Sequence, residues 1–256
     1  MSLSSFSRKQ RIIRAIAFPV WVFVSFFVVQ IVLSLVLIGL QKLGVPFANL
    51  NQNILNTIFA VFVYGLTILV VIGVPKLAKR APINREQLGL SRLPVWTDLL
   101  LAPAGFLVYA VISGRLVSGA TNFIPGFDTG QVQDTGFSQL QTHLQLVLAF
   151  FTLVVLAPIA EETLFRGYLF GKLKQSVPVW GAALITSALF GLVHVAFSAQ
   201  PDWPLALDTF VLSLMLCTLR QVSGSLWAST LLHMIKNGVA FYILFLSPII
   251  SHTMGG

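Results

Sequence analysis

Three short motifs place polar and ionisable side chains inside apolar stretches of the chain. They read Glu161-Glu162-x-x-x-Arg166, Phe190-x-x-x-His194 and His233-x-x-x-Asn237. Charged groups are costly inside lipid, and those that occur there commonly serve a function. Together the motifs supply carboxylates, imidazoles, a guanidinium and a carboxamide, which are groups that can activate a water and stabilise an oxyanion.

The composition indicates that these motifs belong to a multi-pass membrane protein. Of the 256 residues, 56% are hydrophobic and only 9% are charged, and the mean hydropathy is +0.88. Soluble domains have about 25% charged residues, so this chain could not cover a surface in water. Basic loops on one side of a membrane account for the net charge of +8. No basic tract has the interleaved aromatic residues that would favour nucleic-acid binding, so we expect no nucleic-acid partner.

Hydropathy predicts seven helices that position the motifs, each near the roughly 20 residues that a bilayer requires. They cover about 15–40, 54–75, 98–117, 143–164, 179–198, 205–220 and 226–247. The first apolar run is too long for a cleaved signal peptide and is interpreted as an uncleaved helix. We therefore expect an all-α, multi-pass transmembrane helical bundle of about seven to eight helices.

Positive charge concentrates in alternate connections between the predicted helices. Four basic residues precede the first helix, and five more lie between the second and the third. By the positive-inside rule, the N-terminus is expected in the cytoplasm. Residues 1–130 then hold the N-terminal helices and connecting loops, and residues 140–247 carry the three motifs.

Helical spacing divides the first motif into a pair and a lone carboxylate. Glu162 and Arg166 are four residues apart and share a helix face, which favours a salt bridge. Glu161 projects about 100° from Glu162 around the helix axis and is then available as a general base. The open alternative is that Glu161 is simply a second carboxylate at the membrane interface. Pro158 removes the hydrogen bond to the carbonyl of Val154 and predicts either a kink beside a wet cavity or a simple packing kink.

The other two motifs also place their side chains one helical turn apart. Phe190 and His194 share one face, as do His233 and Asn237. A single His on an apolar helix is more often a structural residue, and His233 with Asn237 would also suit an interhelical hydrogen bond. Counted at about 1.5 Å per residue, the motifs lie at only loosely similar depths, so their convergence is a hypothesis.

Taken in this order, the motifs resemble those of a known protease family. Glu-Glu-Thr-Leu-Phe-Arg, Phe-Gly-Leu-Val-His and His-Met-Ile-Lys-Asn are similar to the CPBP family of intramembrane proteases, which includes CAAX prenyl endopeptidases and bacterial Abi proteins tied to bacteriocin self-immunity. The resemblance covers about 140–247 and implies that this segment is a CPBP protease core. It also implies a helical bundle with a cavity open toward one leaflet, in a bacterial plasma membrane.

The resemblance further implies a role for each motif residue. Glu161 and His194 would activate the attacking water, and His233 and Asn237 would stabilise the oxyanion of the tetrahedral intermediate. The implied supporting residues are Glu162, Arg166 and Phe190. No serine or cysteine nucleophile is required by this assignment.

Metal dependence stays open from the residues alone. Glu161, His194 and His233 could form a three-ligand zinc site with an open position. There is no His-Glu-x-x-His motif, however, and an Asn one turn from His233 suits an oxyanion donor better than a ligand. We therefore expect no cofactor, with zinc as the alternative.

The leading hypothesis is an intramembrane endopeptidase that uses Glu/His-activated water. Its partners would be the bilayer and a membrane-associated, prenylated or bacteriocin-like, protein or peptide substrate. The alternative is a non-enzymatic membrane scaffold for bacteriocin self-immunity or regulation. A transporter that uses Glu161 as a proton relay is a third hypothesis, which the absence of an evident internal repeat does not favour.

Overall fold

The protein is helical throughout the part of the chain that the structure, a computed structural model, describes. That part comprises residues 6–47, 50–79, 82–124, 127, 135–138, 140–196 and 202–248, and none of it forms a strand. The helices are α1 (Arg8–Lys42), α2 (Gln52–Leu77), α3 (Arg85–Leu88), α4 (Trp96–Thr121), α5 (His143–Leu173), α6 (Val179–Ala196), α7 (Trp203–Ser223) and α8 (Trp227–Leu246). The predicted all-α, multi-pass bundle is therefore confirmed.

The lengths of these helices define an integral membrane protein. Six of those described, all except α3 and α6, are long and apolar enough to cross a bilayer. The apolar part of α6, Val179–Val195, is shorter.

Each of the seven predicted segments falls on a helix, and the short α3 is the eighth helix. The predicted ends at 197–198, and residues 125–126, 128–134 and 139 between the third and fourth predicted segments, lie outside the described residues. The predicted orientation and the predicted division near residue 130 stay predictions.

Contacts along the chain define two compact units, and the first comprises Met1–Pro19, Ile83–Asp134 and Glu162–His233. Within it, α7 packs against both α6 and α4. A Cβ at Gly191 would lie 2.8 Å from the carbonyl oxygen of Ala206, so only glycine permits this approach of α6 to α7. Small residues at such contacts are typical of helix packing in membranes.

The short helix α3 lies against the end of α5 in the same unit. A Cβ at Gly171 would come within 2.9 Å of the carbonyl oxygen of Gln87, and Gly167 packs against Leu88. Arg220 of α7 donates from Nη2 to that Gln87 carbonyl at 3.0 Å. Because α3 is too short to be stable alone, these contacts explain why it forms here.

The second unit comprises Val20–Pro82, Thr135–Glu161 and Met234–Gly256. In this unit α2 packs against the first half of α5. The Thr152 hydroxyl donates to that of Thr57 at 3.2 Å, and the rings of Phe150 and Phe241 meet edge to face at 5.4 Å. The first half of α5 is thereby fixed from two sides by a hydrogen bond and by aromatic packing.

Helix α5 departs from regular α geometry around its proline. It widens into π turns at Phe151–Leu156 and again at Thr163–Leu169. The Ala157 amide bonds to the carbonyl of Thr152, five residues back, directly before Pro158. Such widening satisfies backbone groups that a proline would otherwise leave without partners in a membrane helix. Pro158 thus coincides with a local change of helix type just before Glu161.

Candidate active site

The first compact unit contains a buried ionic network. Glu162 Oε1 accepts hydrogen bonds from Arg166 Nη1 at 2.8 Å and from His233 Nδ1 at 3.0 Å. The Glu162 and Arg166 side chains have no exposed surface, and His233 is 3% exposed. The pair predicted between Glu162 and Arg166 is present. It is buried inside the protein, and it includes His233, which the spacing of the motifs did not indicate.

The ring of Phe190 brings all three motifs together in this unit. It lies 4.4 Å from the Arg166 guanidinium, 4.7 Å from the His194 ring and 5.9 Å from the His233 ring. Phe165 packs edge to face against it at 5.0 Å. Aromatic and cation–π contacts of this kind hold polar side chains in a defined orientation. Phe190 therefore separates and orients the cation and the two imidazoles.

The backbone of α6 determines which nitrogen of His194 carries hydrogen. Its Nδ1 lies 2.7 Å from the carbonyl oxygen of Phe190. Because a carbonyl only accepts hydrogen bonds, Nδ1 is the donor, and Nε2 carries the lone pair of the neutral imidazole. An imidazole oriented in this way can accept a proton from water at Nε2.

Glu161 belongs to the second unit and has a partner there that sequence reasoning missed. Tyr64 of α2 donates from its hydroxyl to Glu161 Oε1 at 2.9 Å. Glu161 is half-buried, in contrast to the fully buried Glu162. Tyr64 and Glu161 are 97 positions apart in the sequence, so no local spacing could indicate this contact, and only the packing of α2 on α5 reveals it.

Asn237 also lies in the second unit, where it binds the widened turn of α5. Its Nδ2 donates to the carbonyl oxygen of Leu153 at 2.9 Å. That carbonyl is available because the Ala157 amide bonds to Thr152 instead. One of the two amide hydrogens is used in this contact, and the second remains for another acceptor.

The structure thus groups the predicted site residues into two sets. Those in the first unit are Glu162, Arg166, Phe190, His194 and His233, and those in the second unit are Glu161 and Asn237. The residues of the first set contact one another directly or through Phe190. The convergence of Glu161 and Asn237 with them on one water stays a prediction.

The buried network has hydrogen-bonding capacity beyond its observed contacts. In the described part of the chain, Glu162 Oε2 and the Arg166 atoms Nε and Nη2 are buried without hydrogen-bond partners. Buried polar atoms of this kind commonly bind ordered water. No group of three or more His, Cys, Asp or Glu side chains among the described residues is arranged to hold a metal ion.

We expect the Tyr64–Glu161 hydrogen bond to contribute to stability, which can be measured without a substrate. Tyr64→Phe and Glu161→Ala should lower the free energy of unfolding non-additively, with a coupling on the order of 1 kcal/mol. Reversible unfolding of the two single variants and the double variant in mixed micelles measures it. Tyr242→Phe, at an exposed tyrosine of the same unit, should show no coupling to Glu161. Additive losses would mean that the hydrogen bond contributes nothing.

Comparison with known proteins is consistent with this arrangement. Residues 143–239 match the family described as type II CAAX prenyl endopeptidase Rce1-like. The protein named "UPF0177 protein YxdF" from Lactococcus lactis is 40% identical over 65 residues, which cover 25% of this chain and 35% of that protein. The protein named "Putative membrane peptidase YdiL" from Bacillus subtilis is 27% identical over 143 residues, or 56% of this chain and 54% of that one. The chain thus spans about a third to a half of the length of these curated relatives, and no solved structure matches it.

The helices define a multi-pass membrane protein, and its residues 143–239 resemble a family of membrane proteases. All predicted site residues lie within the matched segment. The segment 143–239 is Rce1-like, so the resemblance predicted from the three motifs is confirmed.

Proposed function

We propose that this chain is an intramembrane endopeptidase that hydrolyses a peptide bond of a membrane-associated protein or peptide. The observation that carries the proposal is the difference between its two adjacent carboxylates. Glu162 is fully buried and paired with Arg166 and His233, whereas Glu161 is half-buried and bound by the neutral hydroxyl of Tyr64. Glu162 is thus bound to the Arg166 guanidinium inside the protein, and we assign the chemistry to the more exposed Glu161.

Glu161 and His194 activate the attacking water in this proposal. Tyr64 orients the Glu161 carboxylate by binding one oxygen, and the Phe190 carbonyl orients His194 so that Nε2 can accept a proton. A carboxylate or imidazole that takes the proton as the water oxygen attacks lowers the barrier by general base catalysis. When the C–N bond breaks, that proton passes to the departing nitrogen.

His233 and Asn237 stabilise the oxyanion. Glu162 holds Nδ1 of His233, which fixes the orientation of the ring, and Nε2 donates to the oxyanion when it carries hydrogen. Asn237 has a second amide hydrogen beyond the one bound by Leu153. Donors that are already oriented stabilise developing negative charge better than mobile water does, because they need not reorganise.

In this proposal, side chains activate the water and stabilise the oxyanion without a metal ion. If a metal were required, Glu161, His194 and His233 would be the ligands, and Nε2 would be the donor atom on each imidazole. Among the described residues, no group of three such side chains is arranged to hold a metal ion. Elemental analysis of the purified protein, together with activity after chelation, tests this assignment.

The proposal is tested by comparing membranes that contain the wild type with membranes that contain Glu161→Gln or His194→Gln. Peptide mapping of chain ends should find a new C-terminus on at least one membrane-associated protein in the wild type only. Both variants remove a reacting group and keep the size of the side chain, so they should insert at wild-type levels. Immunoblotting of the membrane fraction checks this.

Identical chain ends in all three membranes would contradict the proposal. If both variants also restored the phenotype of a deletion strain, the non-enzymatic scaffold would be the correct function. Because the two substitutions lie in different compact units, a shared loss of cleavage would identify chemistry as the common cause. The cleaved protein then becomes the substrate for kinetic measurements.

A further inference from the structure

An apolar groove runs between α6 and α7 on the first compact unit, outside the candidate active site. Its volume is about 590 Å³. Its lining comprises Phe170, Val179, Trp180, Ala183, Leu184, Leu214, Cys217, Thr218, Gln221 and Val222. We refer to it as the α6–α7 groove. Its width and apolar walls suit a hydrocarbon chain.

A polar pocket continues this groove. Its volume is about 320 Å³, and its lining comprises Gln87, Gly171, Lys174, Gln175, Val179 and Gln221. Val179 and Gln221 line both cavities, so the groove and the pocket adjoin. Together they form one surface that is apolar at one end and polar at the other.

The polar end carries positive charge without a matching acid. Lys174 Nζ donates to Gln221 Oε1 at 3.3 Å, and Arg220 Nη2 donates to the Gln87 carbonyl at 3.0 Å. Among the described residues, neither cation pairs with a carboxylate, and Arg220 Nε is buried without a hydrogen-bond partner. Burial and the nearby Arg220 charge lower the pKa of Lys174. An anion bound in the pocket would offset the repulsion that Arg220 exerts on Lys174.

The polar end also lies where lipid headgroups are found. Lys174 follows the last residue of α5, Val179 begins α6, and Gln221 lies near the end of α7. Trp180 is 70% exposed beside it, which is typical of tryptophan at a membrane interface. From Gln221 to Leu214 the groove extends roughly 10 Å along α7, at about 1.5 Å per residue. The Lys174 ammonium lies 5.4 Å from the ring of Phe170, so the cation borders the apolar lining.

We propose that the α6–α7 groove and its polar pocket bind one anionic phospholipid. The phosphate lies against Lys174 and the carboxamides of Gln87 and Gln221, and one acyl chain lies along the groove. Free phosphate alone would leave the adjoining apolar groove unfilled, and a neutral lipid would leave Lys174, the cation that lines the pocket, without an anion. Basic pockets between membrane helices are known sites for anionic lipids.

Native mass spectrometry of the purified protein tests this proposal, with phosphatidylglycerol and phosphatidylcholine as probes. The wild type should retain one phosphatidylglycerol in preference to phosphatidylcholine. Lys174→Gln should bind phosphatidylglycerol about fivefold more weakly, because one cation near the headgroup is lost. Ala183→Phe fills the groove and should weaken binding of the acyl chain while the headgroup contacts remain.

Arg115→Gln is the matched control, since it removes an exposed cation from the same compact unit. It should bind phosphatidylglycerol as the wild type does, as should Glu161→Gln, because the lipid site does not depend on peptidase activity. Unchanged binding in Lys174→Gln, or equal retention of the two lipids, would overturn the proposal. Displacement of the lipid by inorganic phosphate, with no effect of Ala183→Phe, would reduce the site to a phosphate site and also overturn it.

Discussion

Replacing Glu162 with glutamine is expected to lower the free energy of unfolding by about 3 kcal/mol or more. The substitution keeps the shape of the side chain and removes its charge. The Arg166 guanidinium would then remain fully buried without the carboxylate that neutralises it, and His233 would lose an ionic partner. Reversible unfolding in mixed micelles, with increasing detergent denaturant, measures the loss.

A charge-matched double variant separates the ionic effect from a general packing defect. Glu162→Gln combined with Arg166→Met removes both charges, so no uncompensated ion is left inside the protein. We expect this variant to recover most of the stability that the single substitution loses, since buried ion pairs can often be replaced by apolar residues. Phe190 then packs against the methionine in place of the guanidinium. Wild-type stability of the single variant would show that the Glu162–Arg166 pair is not needed for folding.

Replacing the neighbouring Glu161 with glutamine is expected to reduce catalysis strongly and stability only slightly. Glu161→Gln should lower kcat on the identified substrate by about 10²-fold to 10⁴-fold, the usual contribution of a general base. Stability should fall less than it does in Glu162→Gln, because Glu161 is half-buried whereas Glu162 is fully buried against Arg166. Steady-state kinetics and the unfolding assay, applied to the same preparation, measure the two effects.

The adjacent pair of variants forms its own control. Glu161→Gln should be folded and inactive, and Glu162→Gln should be destabilised. If Glu161→Gln kept full kcat, the assignment of this residue as the base would be wrong. If it instead unfolded like Glu162→Gln, its role would be structural. The expected difference between the two variants arises because Glu162, and not Glu161, is the carboxylate that is buried against Arg166 and His233.

Much of the fold was predictable because lipid imposes simple rules on sequence. A spanning helix needs a long apolar run, and the seven predicted runs all lie on helices. The short α3 could not be predicted in this way, since four residues at Arg85–Leu88 carry no hydropathy signal. It depends instead on contacts with Gly167, Gly171 and Arg220, which are distant in sequence.

The site was only partly predictable, because some of its contacts join helices that are distant in sequence. Helical periodicity correctly paired Glu162 with Arg166, because residues four apart share a face. Periodicity carries no information on contacts between helices, so the bond from His233 to Glu162 and the bond from Tyr64 to Glu161 were missed. The Phe190 ring, which the family resemblance implied as a supporting residue, contacts Arg166, His194 and His233, one residue from each motif.

The amino-acid sequence by itself determined the class of fold, the chemical groups available and the family that residues 143–239 resemble. Those properties follow from hydropathy and from motifs in which every residue lies within one helix. Only the tertiary structure decided which carboxylate is fully buried against Arg166 and which is half-buried beside Tyr64. The physical reason is that Glu161 and Glu162 are identical in type and adjacent in sequence, and they differ only in what the folded chain places around them.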